Sequence, residues 1–475
     1  MSELFKDLKP NTIWQHFDAI NEIPRASTKE EKIIEYMVDF GNALGLETIA
    51  DRIGNVIIKK PASIGKENSP TVVLQGHLDM VHQKEVNSDF DFKTQGIQMY
   101  IEGDWIKAKG TTLGADNGIG VAAIMAVLSS VSIEHPQIEA LFTIDEEVGM
   151  TGAEAIQRNQ LSGRILLNLD TEEEDEIIIG CAGGVDVEIE ETLPTEVLDE
   201  NYNFFEIKID GLTGGHSGMD IHLNRANAIK VLAIVLNKLE AQIAKINSGT
   251  LTNVIPRYGN AIIAVKSDYN IVEEIGKIQE QIRVEFSKTD KELSISLNKV
   301  SKQYSVLKKD AQTKFLKALQ EIPHGVYSFT KGMSELVQTS NNVAKINLEE
   351  GYYNIACHTR SSVDTERDVL VAKIKDVYNS ATVNEVGPYP GWKPQPNSNL
   401  LTTAKSCFKT IHNKEAQVKS IHAGLECGIL SGTFPDMEMV SFGPNIRGAH
   451  SPEERLQISS TQIFWELLVM ILDKV

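Results

Sequence analysis

Residues 138–153 read IEALFTIDEEVGMTGA. An apolar run from Ala140 to Ile144 passes directly into Asp145, Glu146 and Glu147, and Gly149 and Gly152 follow. The run has the length and composition of a buried strand. A strand that is apolar on both faces belongs to a sheet covered on both sides, and so to an α/β fold. Two adjacent glutamates at its end would ordinarily be a solvated turn. Whether this pair is different depends on what the neighbouring strands bring to the same edge.

Outward from this stretch, short strands and helices alternate. Residues 12–45 read as one helical segment closed by GNALG. NVIIKK (55–60), TVVLQGHLDM (71–80) and RILLNLD (164–170) are short strands, and GIGVAAIMAVLSSV (118–131) is an apolar helix with small residues in its first turns. After about Gly184 the texture changes. VDVEIEET (185–192) and NFFEIKID (203–210) alternate apolar and polar residues, and NRANAIKVLAIVLNKLEAQI (224–243) reads as a long helix. From VGPYPGWKPQPNSNLL (386–401) the first texture returns. The expected organisation is one α/β domain with a mixed, largely parallel sheet built from residues 1–186 and 388–475. An α+β domain, 187–387, is inserted between them.

A chain of 475 residues suits two domains. Its net charge of −20 argues against nucleic acid or an anionic membrane as partner. The N-terminus lacks a basic region followed by an apolar stretch, and no apolar run is long enough to span a bilayer. The four cysteines are scattered without a CxxC pair, as expected of reduced thiols in a cytoplasmic protein.

Ligands in open α/β sheets bind outside the carboxyl ends of the strands. Five elements carry acid or imidazole to that edge: His77 and Asp79, Asp116, Glu146 and Glu147, Asp170, and His450. Gathered there, the carboxylates would repel unless cations neutralised them. A histidine and carboxylate set without thiolates suits Zn²⁺ or a similar divalent ion. Two four-coordinate ions about 3.5–4 Å apart would take His77, Asp170, Glu147 and His450 once each, a bridging Asp116 and a bridging water. Asp79 and Glu146 are left over. On an extended chain Asp79 shares a face with His77 and can fix its tautomer. Glu146 would point away from Glu147 and sit over the water as a general base.

GHLDMV (76–81), TTLGADNGIGVA (111–122), DEEVGMTGA (145–153), NLDTEE (168–173) and GAHSPEE (448–454) resemble the co-catalytic zinc peptidase superfamily of glutamate carboxypeptidases, aminoacylases and bacterial dipeptidases. The resemblance runs through the whole chain and is strongest to the large-lidded bacterial dipeptidases. It implies two divalent ions per subunit, zinc first, with cobalt and manganese as alternatives. His77, Asp116 and Asp170 would hold one, and Asp116, Glu147 and His450 the other. Asp79 and Glu146 would be catalytic, and the Asp116–Asn117 peptide cis.

The inserted lid would bind substrate through His216 of GGHSG at the oxyanion, Asn253 of TNVIPR, and Arg360 of NIACHTRSS at the α-carboxylate. Gly424 and Glu426 of HAGLE would lie by the substrate, Glu426 at its amine. The implied reaction is hydrolysis of dipeptides ending in histidine, carnosine-like ones included, by a metal-bound hydroxide that Glu146 activates. A broader di- or tripeptidase and an N-acyl amino acid deacylase are the alternatives on the same site. Pairing of two copies through the lid is expected from relatives.

Overall fold

The computed structural model describes residues 3–85, 87–331 and 333–475. The chain forms two compact units. The first comprises Met1–Cys181, Trp392–Ser420 and Leu425–Val475, and the second Ala182–Gly391 with Ile421–Gly424. The short return of Ile421–Gly424 departs from the sequence reading, which kept 388–475 together. Its cause is local: His422 Nε2 lies 2.7 Å from Ser340 Oγ. A Cβ on Gly218 would also meet the His422 carbonyl oxygen at 1.9 Å, so the two backbones lie in direct contact.

The first unit is built on an eight-stranded sheet. Its order is Glu47–Ala50, Val56–Lys60, Ile138–Thr143, Val72–His77, Ile165–Asn168, Glu438–Ser441, Glu176–Cys181 and Gln417–Ile421. The four strands from Ile138–Thr143 to Glu438–Ser441 are parallel, and antiparallel pairs flank them. Parallel register sets His77 beside Thr143 and Gln75 beside Asn168. The carboxyl ends therefore share one edge, and the residues just beyond them are neighbours.

Leu74, Phe142 and Leu167 are fully buried, each worth roughly 1.5–3 kcal/mol of burial. Helix Ala115–Ser129 packs against the Val72–His77 strand and is buried nearly all round, from Ile119 to Leu128. The expected helix over 12–45 is two helices, Asn11–Asn21 and Glu31–Ala43. Pro24 lies in the break, where a helix would need its missing amide.

In the second unit a nine-stranded antiparallel sheet carries helices Ala228–Lys238, Ile271–Glu285, Lys309–Glu321 and Asp364–Val377. The helix read over 224–243 is shorter than expected, because Leu239 is already extended and Gln242–Ser248 is a strand. Among the described residues no helix is long and apolar enough to cross a membrane.

Candidate metal centre

The strand Val72–His77 ends by placing the fully buried His77 ring at the shared edge. His77 Nδ1 faces Asp79, 3.2 Å from its backbone oxygen and 3.3 Å from Oδ1. Nε2 lies 3.1 Å from Asp116 Oδ1 and 3.3 Å from Asp170 Oδ1. The other Asp116 oxygen, Oδ2, is 3.2 Å from His450 Nε2, which also approaches Glu147 Oε2 at 3.0 Å. Asp116 thus stands between two imidazoles with one oxygen toward each. It sits at the mouth of helix Ala115–Ser129, where the Asp116–Asn117 peptide is cis and both residues leave helical geometry.

The two glutamates lie within a turn, not on extended strand as the sequence suggested. The strand stops at Thr143, and Asp145 takes a left-handed φ of 57°. Asp145 O accepts from Gly149 N and Met150 N, and Asp145 Oδ2 accepts from Thr151 Oγ1. That gives Asp145 a role the sequence did not suggest. The turn aims two amides at one buried carboxylate: Glu146 N donates to Asp79 Oδ1 at 3.1 Å and Glu147 N to Asp79 Oδ2 at 3.3 Å. Glu147 then meets His450, while Glu146 Oε2 stays 4.0 Å from His77 Nε2.

This donor set fits divalent cations. If Asp79 takes the Nδ1 proton of His77, the Nε2 lone pair is aimed at two carboxylates, an arrangement that repels unless a cation lies between. Glu147 Oε1 is buried without a hydrogen-bond partner, and Asp170 Oδ1 is buried facing the His77 ring. Among the described residues four sets of His and acid side chains are close enough to share an ion, and three of them lie at this edge: His77, Asp116 and Asp170; Asp116, Glu147 and His450; and His77, Glu146 and Glu147; the fourth is Glu174, Asp175 and His412.

Burial, followed by repulsion from neighbouring acids, pushes the Asp170 carboxyl up to about 6 and Glu172 up to about 8. Burial likewise raises Glu146 well above the usual carboxylate range. His450 is held up at about 11 by its bonds to Asp116 and Glu147. Asp116 is pulled low by the two imidazoles, which outweigh its burial. Such opposed shifts are those of acids competing for too little positive charge, which bound dications would supply.

Residues 73–474 match the model of peptidase family M20/M25/M40. The chain belongs to that family. It is 38% identical to the cytosol non-specific dipeptidase of Escherichia coli (strain K12), over 100% of this chain and 99% of that protein. It is also 38% identical to the crystal structure of aminoacylhistidine dipeptidase from Vibrio alginolyticus, covering 100% and 98% of the two chains with a TM-score of 0.93. Aminopeptidase PepT from Bacillus cereus shares the fold at TM-score 0.59 and 17% identity, over 98% and 99% of the chains.

This member of the M20 family places the remaining site candidates in both units. Glu426 belongs to the first unit and is fully buried. Its Oε2 accepts from Gln75 Nε2 at 2.5 Å and Thr143 Oγ1 at 2.7 Å, Oε1 has no hydrogen-bond partner, and burial pushes the acid up to about 8. Gly424 belongs to the second unit, so HAGLE is divided between the two.

In the second unit, His216 Nδ1 accepts from Gly218 N and Met219 N. Burial, with Arg360 adding to it, lowers its pKa to about 4. The neutral ring therefore carries its proton on Nε2 and is a donor there. Asn253 is exposed and adjoins it, since its carbonyl accepts from Ser217 N. Arg360 is buried, and its Nη1 donates to Tyr389 Oη at 3.0 Å. Tyr389 lies 3.4 Å from His358 Nε2, and His358 Nδ1 pairs with Asp186 at 2.5 Å. Within the first unit Gln75 neighbours Glu426, and within the second Tyr389 neighbours Arg360, Asp186 neighbours His358 and His422 neighbours Ser340; the sequence did not single out Gln75, Tyr389, Asp186 or His422. Each meets its partner more than 20 residues away, which leaves no local spacing to detect.

Proposed function

We propose that this M20 member is a cytoplasmic metal-dependent dipeptidase acting on aminoacyl-histidine dipeptides, carnosine-like substrates included. The observation that carries the reading is Asp116 set between His77 and His450, with Glu147 and Asp170 completing two donor sets and Glu146 beside them. Two divalent ions, zinc with cobalt or manganese also suited to these donors, would polarise the scissile carbonyl and acidify water to near neutrality. Asp79 holds the His77 ring with Nε2 free to ligate. Glu146 takes the proton of the attacking water and returns it to the leaving amine. The Nε2–H of His216 donates to the oxyanion. Arg360 pairs with the α-carboxylate, and Asn253 and Gly424 line the substrate backbone. Glu426 neutralises the free amine.

The lid formed by the second unit would supply the specificity and pair two copies. The name of the Escherichia coli relative favours a wider range of dipeptides over histidine alone. Hydrolysis rates for carnosine, Gly-His, other dipeptides, a tripeptide and N-acetyl amino acids, with defined added metals, decide the matter. Fastest turnover of the Xaa-His substrates is expected. Dominant tripeptide or N-acyl turnover would overturn the dipeptidase reading.

A further inference from the structure

Glu454 and Arg25 have no place in the chemistry above, yet both are almost completely buried beside it. Glu454 lies four residues after His450 and its carboxylate accepts from four consecutive backbone amides. Oε2 takes Leu113 N at 2.7 Å and Gly114 N at 2.9 Å, and Oε1 takes Ala115 N at 2.8 Å and Asp116 N at 3.3 Å. These are the amides at the entry to helix Ala115–Ser129, where orphan donors and the helix dipole both favour an anion.

Arg25 holds the same turn from its other side. Its Nη2 donates to Gly114 O and Asn21 Oδ1, and its Nη1 to Leu78 O at 3.2 Å and Asp79 O at 3.1 Å. Gly114 has its N–H on Glu454 and its C=O on Arg25. Its φ is 69°, and a Cβ there would lie 2.5 Å from Arg25 Nη2. The guanidinium thus ties the Asp79 segment to the Asp116 segment, and Glu454 ties the Asp116 segment to the chain that carries His450.

We propose that Arg25 and Glu454 are positioning residues that clamp the 113–116 turn and set the Asp116 carboxylate between the two histidines. The clamp joins three separate stretches of chain, each of which carries part of the donor set. Neither residue needs to touch an ion, so the effect is on placement. A shift of the turn would move both Asp116 oxygens together, and both donor sets would loosen at once. The inference rests on the metal reading above.

Two measurements test it. In wild-type protein, amide hydrogen exchange over 111–117 is followed with metal bound and after chelation. Protection of Leu113, Gly114 and Ala115 is expected to persist without metal, because protein groups hold those amides. A rise of a hundredfold or more in their exchange on chelation would mean that ions hold the turn, and would overturn the clamp.

The second measurement uses E454Q and R25K, titrated with Zn²⁺ and Mn²⁺ by calorimetry and melted with and without metal. A glutamine keeps one acceptor oxygen and loses half of the bonds. Both metal affinities are expected to fall tenfold or more, about 1.4 kcal/mol each, so metal raises Tm less than in wild type. Equal losses of Tm in the metal-free and loaded forms, with unchanged affinities, would make the pair merely structural and refute the proposal. Should a variant not fold, the exchange experiment decides alone. Wild type that takes up no metal would sink the metal reading, while the exchange pattern in that protein would still decide whether the turn is clamped.

Discussion

Replacing Asp79 with Asn keeps the shape of the side chain and removes one acceptor oxygen. The native carboxylate is fully buried and serves four groups. Oδ1 faces Glu146 N and His77 Nδ1, and Oδ2 faces Glu147 N and Ser27 Oγ. An asparagine oxygen placed at Oδ1 puts its NH₂ against Glu147 N–H, while Ser27 can turn its hydroxyl to Met80 O, which it already approaches at 3.1 Å. One buried amide then loses its partner, costing about 1–3 kcal/mol. The other bonds lose their charge assistance, so about 3 kcal/mol in all is expected. Placed the other way, the amide instead faces His77 and Glu146 N–H. In either orientation the His77 tautomer is held less firmly, and loss of such a partner costs 10–100-fold in metal affinity or activity, about 1.4–2.7 kcal/mol. Urea unfolding gives the first figure. Metal titration and kcat/KM at a temperature where the variant is folded give the second. A D79N protein with wild-type unfolding midpoint, metal affinity and kcat/KM would refute both the turn's dependence on Asp79 and the tautomer argument.

Glu146→Ala is expected to abolish turnover while leaving metal content at the wild-type level, measured by elemental analysis; near-normal activity would remove Glu146 as the base. Tyr389→Phe deletes the hydroxyl that receives Arg360 Nη1, a bond worth about 1 kcal/mol, so KM for dipeptides should rise about fivefold at unchanged kcat; a change confined to kcat would contradict a binding role for Arg360. Burial, reinforced by the positive charge of Arg360, lowers the His422 pKa to about 3. The unfolded ring protonates near 6.5 and the folded ring only near 3, so the unfolded chain binds more protons between these values and stability falls with pH across that window. Between pH 7.5 and 5 this residue should contribute about 2 kcal/mol of the loss, and His422→Gln should flatten the urea midpoint by that amount; an identical pH profile would show that the ring charges freely in the folded state.

The parts of the site that could be read from sequence are those where one strand's own pattern announces its end. Leu74 to His77, Leu141 to Glu147 and Leu166 to Asp170 each run from apolar residues into acid or imidazole, and parallel register alone makes their ends neighbours. The central helix was readable for the same reason, since its apolar residues continue round every face. Two local errors came from chain breaks with weak signals. A single proline divided residues 12–45, and an extended Leu239 ended a helix whose composition continued past it.

The remaining features depend on groups that recognise one another across the chain. Asp145 enters the left-handed region without being glycine, because Asp79 waits 66 residues earlier to receive the amides that the turn presents. Arg25 in EIPRAS resembles any loop arginine until Gly114 brings a carbonyl against it. Glu454 lies in the same motif as His450, yet nothing in GAHSPEE indicates that its last acid is the one turned inward to four amides. Periodicity reports which face of an element is buried. It does not report which buried polar group will find its complement, because that match is made by residues hundreds of positions away. Candidate ligands at strand ends are therefore the easier half of such a cluster to see, and the buried charges beside them emerge only when the backbone donors and acceptors are accounted for one by one.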